Sequence, residues 1–150
     1  MSKYLSGHFV GSAGYSQAIL SAELGISPDE STASVWKYIR ATQPEYPGTV
    51  IPRSFTVSTP NGTFWTHGNA TKHMNEALIS IRDNPMLKNT NPNLFAQFIL
   101  YDYRKALITA TGGAIRLGTR IRVGHWEFIL GKRKGDEYPV VKHALFSGLN

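Results

Sequence analysis

Hydrophobic and polar positions change rhythm along this chain. "SAGYSQAILSAELG" (12–25) has the spacing of a short helix that Gly25 stops. "SPDESTASVWKYIRAT" (27–42) predicts a second helix, capped by Asp29 or Ser31, with Trp36 and Ile39 on its apolar stripe. "QPEYPGT" breaks both regular patterns and predicts a loop. "VIPRSFTVSTPNGTFWTH" (50–67) then alternates and predicts a hairpin. With Asn61-Gly62 as a type I′ turn, Val57 falls opposite Thr66 and Thr59 opposite Phe64. Phe55, Val57 and Phe64 share one face of that hairpin, Trp65 and His67 the other. Helical spacing returns from about Asn69 to Asp83, ended by Pro85. It returns again in "NLFAQFILYDYRKALITATGG", which Asn93 caps and Gly112-Gly113 stops. That last helix is apolar on most sides and is expected to be central. "AIRLGTRIRVG", "HWEFILGK" and "EYPVVKHALF" alternate again, the last two separated by the polar turn "KRKGDE". The expectation is an α+β domain, with N-terminal helices packed on a C-terminal antiparallel sheet.

The 150 residues suit one domain, 1–150, with a helical N-terminal part over about 1–48 and a core over 49–150. No apolar run approaches the ~20 residues of a membrane span, and the N-terminus lacks the apolar region of a signal peptide. There is no cysteine, which excludes disulfides and thiolate metal sites. Sixteen Lys and Arg against ten Asp and Glu give a formal charge of +6. The excess gathers late in the chain, at Arg116, Arg120, Arg122, Lys132, Arg133 and Lys134, and a basic surface of that kind attracts polyanions.

Three segments place polar side chains among apolar ones. In "NATKHM" (69–74), with Ala70 at 0° on a helical wheel, Met74, Ala77, Leu78 and Ile81 form an apolar stripe. Lys72 lies near ~200°, toward solvent, and His73 near ~300°, at the stripe's edge beside Glu76. A boundary histidine of this kind can serve as an acid or base in a cleft, or simply bond to Glu76. In "YPVVKHALF", alternation puts Val141, His143 and Leu145 on one face and Val140, Lys142, Ala144 and Phe146 on the other. In "GHWEFILGK", Trp126, Phe128 and Leu130 form the core face, with His125, Glu127 and Ile129 turned away.

Several chemistries lack their motifs. There is no HExxH, no clustered Asp/Glu set, no P-loop and no G-x-S-x-G elbow. No metal and no cofactor is therefore expected. Histidine, lysine, arginine and threonine on a basic frame remain. That set suffices to cleave RNA without metal, because RNA carries its own 2′-hydroxyl nucleophile and needs only proton transfer and charge stabilisation.

"PRSFTVSTPNGTFWTHGNATKHMNEAL" and "GHWEFILGKRKGDEYPVVKHALF" together resemble the C-terminal toxin domains of bacterial polymorphic toxins. The closest likeness is to the tips of LXG-type toxins and of contact-dependent inhibition effectors. The likeness covers roughly residues 50–146. It implies a ribonuclease of the barnase–EndoU–colicin–RelE group, delivered as part of a larger effector and acting on RNA, with tRNA the favoured substrate, in the cytoplasm of a target bacterium. A cognate immunity protein with an acidic face follows from the same resemblance. Carried over by motif, His73, Lys142 and His143 are the first catalytic candidates. His73 and His143 share the acid and base work, and Lys142 stabilises the phosphorane. Thr71 and Arg122 are secondary catalytic candidates. Lys72, Arg116, Arg120, Lys132, Arg133 and Lys134 would hold RNA. "GHWEF" departs from the family pattern, which has a glycine or another small residue where His125 stands. Two rivals remain: a basic nucleic-acid-binding module without chemistry, and a metal-dependent DNase whose ligands come from His67, His73, His125 and His143.

Overall fold

The computed structural model describes residues 21, 22, 24, 26, 34–85 and 92–147, with the backbone alone at 92 and 93. Most of the predicted 12–25 helix, and residues 27–33 of the second predicted helix with its cap candidates Asp29 and Ser31, lie outside these residues. Within the first helix, 21, 22 and 24 are helical, and Leu24 is fully buried. The expected helix over 27–42 is not formed in its described part. A single 3-10 turn, Val35–Tyr38, leads directly into strand β1, Ile39–Ala41. Only Val35 of that turn is deeply buried, so a longer helix would have little apolar face to cover.

The hairpin forms as β2, Ser54–Thr59, and β3, Gly62–His67. Its turn is Pro60-Asn61, one residue earlier than expected, with Val57 opposite Phe64 and Phe55 opposite Thr66. Two contacts hold this register. The Asn61 backbone N–H donates to the Thr59 hydroxyl, and the Asn61 amide donates to the carbonyl of Ile108 at 2.9 Å. A one-residue move of a two-residue turn shifts the pairing by two, so the predicted faces survive. Phe55, Val57 and Phe64 are buried, while Trp65 and His67 are half-buried on the other side.

Gly68, at φ +61°, turns the chain out of the sheet into helix α1, Asn69–Arg82. Its buried positions are the predicted stripe, Ala70, Met74, Ala77, Leu78 and Ile81, plus Thr71. Helix α2, Pro92–Ala110, follows and is central as its sequence predicts: Phe95, Phe98, Ile99, Leu100, Tyr103 and Leu107 are all at most 1 % exposed. It begins one residue before Asn93, whose side chain lies outside the described part. Residues 112–120 form an exposed irregular segment rather than a strand. Strands β4 (Ile121–Val123), β5 (Trp126–Gly131) and β6 (Val140–Phe146) complete the chain.

The molecule is α+β, with helices packed on one six-stranded sheet in the order β1-β2-β3-β6-β5-β4. Two features differ from the expected C-terminal antiparallel sheet. The early hairpin is part of the same sheet, and it joins through a parallel β3–β6 pair. That junction spans only two pairs, Trp65–Val140 and Thr66–Val141. Helix α1, which leaves β3 immediately afterwards, packs along β6. On the helix side of the sheet Tyr103 meets Phe55, Trp126 and Phe128, and Trp126 stacks on Phe128 at 6.0 Å. Burying each such ring contributes roughly 1.5–3 kcal/mol, the main stabilisation of this half of the fold.

Candidate functional site

The other side of the sheet carries the polar chemistry, and a β-bulge decides which side chains reach it. In β5 Trp126, Phe128 and Leu130 are buried on the core side as predicted, and Glu127, between the first two on the opposite face, is itself only 8 % exposed. In β6 strict alternation fails. Ile129 pairs with His143, but Leu130 pairs with Val141, so Lys142 is an extra residue. Val141 and Ala144 are both fully buried, while Lys142 is exposed and His143 partly so. Two residues of a bulged strand opposite one of its partner turn to the same side. Lys142 and His143, expected on opposite faces, therefore share the outer face. Gly131 makes room for the lysine, since a Cβ there would lie 2.6 Å from Lys142 Cδ.

His143 sits beside His73. Their rings meet edge to face, with centroids 5.6 Å apart. His73 reaches this point from α1 because, as the helical wheel requires, it lies at the margin of the apolar stripe. Its side chain is 31 % exposed and that of His143 is 22 % exposed. Each imidazole has its own carboxylate. His73 Nδ1 lies 2.9 Å from Glu76 Oε1, one helical turn away. His143 Nε2 lies 3.1 Å from Glu127 Oε2. An ionised carboxylate only accepts, so each imidazole donates there; in a neutral ring the other nitrogen, Nε2 on His73 and Nδ1 on His143, is then the acceptor.

Glu127 organises the cluster. It is directly opposite Arg122 across the β4–β5 pair. Arg120 Nη1 donates to its Oε2 at 3.0 Å, and Arg122 Nη2 lies 3.6 Å from its Oε1. The hydrogen bond from His143 is the largest cause holding its carboxyl below the usual glutamate range. Burial opposes the shift, and Arg120 and Arg122 add to it. Both guanidinium groups stay more than two-thirds exposed, so they can turn from Glu127 to an incoming anion.

The remaining candidates divide. Thr71 is fully buried. Its hydroxyl donates to the Arg53 carbonyl at 2.7 Å and meets the Tyr46 hydroxyl at 2.9 Å, so it braces the start of α1 and has no access to the histidine pair's outer side. Lys72 is exposed, as the wheel places it. Arg116 lies in the exposed 112–120 segment. Lys132, Arg133 and Lys134 occupy the β5–β6 connection, where Arg133 pairs with Asp136. His125, expected to share the face of Glu127, packs edge-on against inward-facing Phe146 at 5.8 Å, because the turn at Gly124-His125 interrupts the alternation. Among the described residues, no group of three or more His, Asp or Glu side chains is placed to hold a metal ion, and no helix is long and apolar enough to cross a membrane.

Glu127 is the member of this cluster that the candidate set from sequence leaves out. Its signal was present: a carboxylate between Trp126 and Phe128, on the outer face, and opposite Arg122 once Gly124-His125 is taken as the turn. Comparison with known proteins matches no family model and no curated protein.

Proposed function

We propose that this domain is a metal-independent endoribonuclease whose catalytic pair is His73 and His143. The observation that supports it most is the meeting of two partly exposed imidazoles from distant segments, each oriented by a carboxylate, beside two exposed arginines. One imidazole takes the 2′-hydroxyl proton at its free nitrogen. The 2′-oxygen forms a bond to phosphorus, the P–O5′ bond breaks, and the other imidazole protonates the departing O5′. The products are a 2′,3′-cyclic phosphate and a 5′-hydroxyl. Arg122 and Arg120 face the charge that builds on the phosphorane oxygens, and Lys142, next to His143 on the same face, adds a third cation. Glu127 is a positioning residue: it fixes the His143 tautomer and holds both arginines in reserve.

The reading extends, on the sequence resemblance, to a toxin domain acting on RNA, tRNA first among candidates, inside a target bacterium. An immunity protein with an acidic face would then cover this basic surface. The test is incubation of the purified domain with total bacterial RNA, with and without EDTA, beside His73→Ala and His143→Ala. Discrete fragments that persist in EDTA and vanish in both variants are expected. Intact RNA in every lane, with unchanged RNA affinity in the variants, would leave a binding module without chemistry.

A further inference from the structure

Next to the histidine pair, on the same side of β6, lies a cleft of about 400 Å³ lined by His67, Gly131, Lys132, Arg133, Asp136 and Lys142. Three of these side chains are cationic and one is anionic. Asp136 is already engaged, accepting the Arg133 backbone N–H at 2.8 Å and lying 3.7 Å from Arg133 Nε. Lys132 and Lys142 therefore give the cleft a net positive charge. Its wall continues into a second hollow lined by Thr56, Trp65, Glu137 and Tyr138, with Asp136 common to both. Between the hollows the rings of Trp65 and His67 lie in contact, tilted by 41° with centroids 4.2 Å apart. Burial, and then the Arg133 guanidinium, hold the His67 imidazole below its ordinary value, with Asp136 opposing. Together the indole and the imidazole present aromatic surface at the edge of the cleft.

The connection to the chemistry is the bulge. It presents Lys142 to the cleft and His143 to the His73 pair from consecutive positions of one strand. Cleft and histidine pair thus adjoin each other through Lys142 and His143.

We infer that this cleft is a phosphate subsite for the nucleotide adjoining the scissile bond, with Trp65 and His67 as the platform for its base, so that the substrate is an extended single-stranded RNA segment. Cations that track a backbone beside aromatic rings that stack bases are the general means of holding single strands, and they tolerate any sequence. A closed A-form helix keeps its bases stacked on each other and has no base to offer the platform. The inference rests on the ribonuclease reading above for the position of the scissile bond.

The test compares a dinucleoside monophosphate with a tetranucleotide as substrates, and measures affinity for an all-2′-deoxy tetranucleotide, which 2′-hydroxyl attack cannot cleave. Two variants are used. Lys132→Ala/Arg133→Ala removes two exposed cations. Gly131→Ala removes none but displaces the Lys142 stem. The wild type should prefer the tetranucleotide in kcat/KM. Each variant should lower that preference about tenfold and flatten the salt dependence of deoxy-oligomer binding, as lost phosphate contacts do. An unchanged preference and unchanged deoxy-oligomer affinity in both variants would overturn the subsite while leaving the nuclease intact. If the wild type cuts no RNA but both variants lose deoxy-oligomer affinity, the cleft stands and the ribonuclease reading falls.

Discussion

The two faces of strands β5 and β6 use neighbouring residues for opposite purposes. Inward, Trp126, Phe128, Ala144 and Phe146 are at most 6 % exposed, and Tyr103 of α2 packs on Trp126 and Phe128. Outward, Glu127 bonds to His143 and Arg120, and the bulge turns Lys142 to the same side as His143. Two carboxylates show the contrast most sharply. Asp102, on α2, accepts the Trp126 indole N–H at 2.9 Å on the core side, and burial raises its carboxyl above the ordinary aspartate range despite that bond. Glu127, one residue along from Trp126, is held low by His143 and the arginines. One acid serves packing and is strained by its charge. The other is useful because of its charge.

That division predicts separable effects. Phe128→Ala should cost about 3–5 kcal/mol of stability by opening a cavity, and would leave little folded protein to assay. His143→Ala, at a partly exposed site, should cost under about 1 kcal/mol, while lowering RNA cleavage by roughly 10²–10⁴-fold. Parallel chemical denaturation and cleavage assays check both. If His143→Ala unfolds the protein, the outer face is also structural and the comparison fails.

Glu127→Gln sharpens the comparison. It keeps the shape but removes the charge that orients His143 and gathers the arginines. Cleavage should fall about tenfold or more, with KM changing less than kcat, since a misplaced acid or base costs rate rather than binding. The charge also has a stability signature. A carboxyl held low in the folded state contributes stability that is present above its unfolded value and lost as pH falls through its folded value. Glu127→Gln should thus narrow the acid-side loss of stability, measured as Tm below about pH 4.5.

Asp102→Asn should have the smallest effect and the opposite sign. A carboxyl raised in the folded state favours folding when protonated and opposes it once pH passes its unfolded value. Asparagine still accepts the Trp126 bond without the buried charge. The variant should melt slightly higher than wild type at neutral pH, with the gap closing below about pH 4, where wild-type Asp102 is itself protonated.

Much of this architecture is legible in the residues, and the failures have physical causes. The α1 stripe, the hairpin faces and the core side of β5 follow from periodicity, because each element turns its apolar residues to one face. Residues 35–41 misled because Trp36 and Ile39 fit helical spacing, whereas pairing of Ile39 with Val57 across the sheet wins over local preference. The mixed sheet was hidden because a parallel junction of two residue pairs, between strands far apart in sequence, leaves no local mark. Lys142 turns to the outer face, against strict alternation, because a bulge adds a residue without changing composition. The His73–His143 meeting was legible only as two separate boundary histidines. Their proximity depends on α1 lying along β6, a contact that no spacing reports.

The most direct test of the central claim is the chemical nature of the cut ends. A 5′-labelled RNA oligonucleotide would be digested in EDTA and its products resolved by mass. General acid–base transesterification by His73 and His143 predicts a 2′,3′-cyclic phosphate on one fragment and a 5′-hydroxyl on the other, both absent with His73→Ala or His143→Ala. Fragments carrying 3′-hydroxyl and 5′-phosphate ends, formed only with divalent metal, would contradict it.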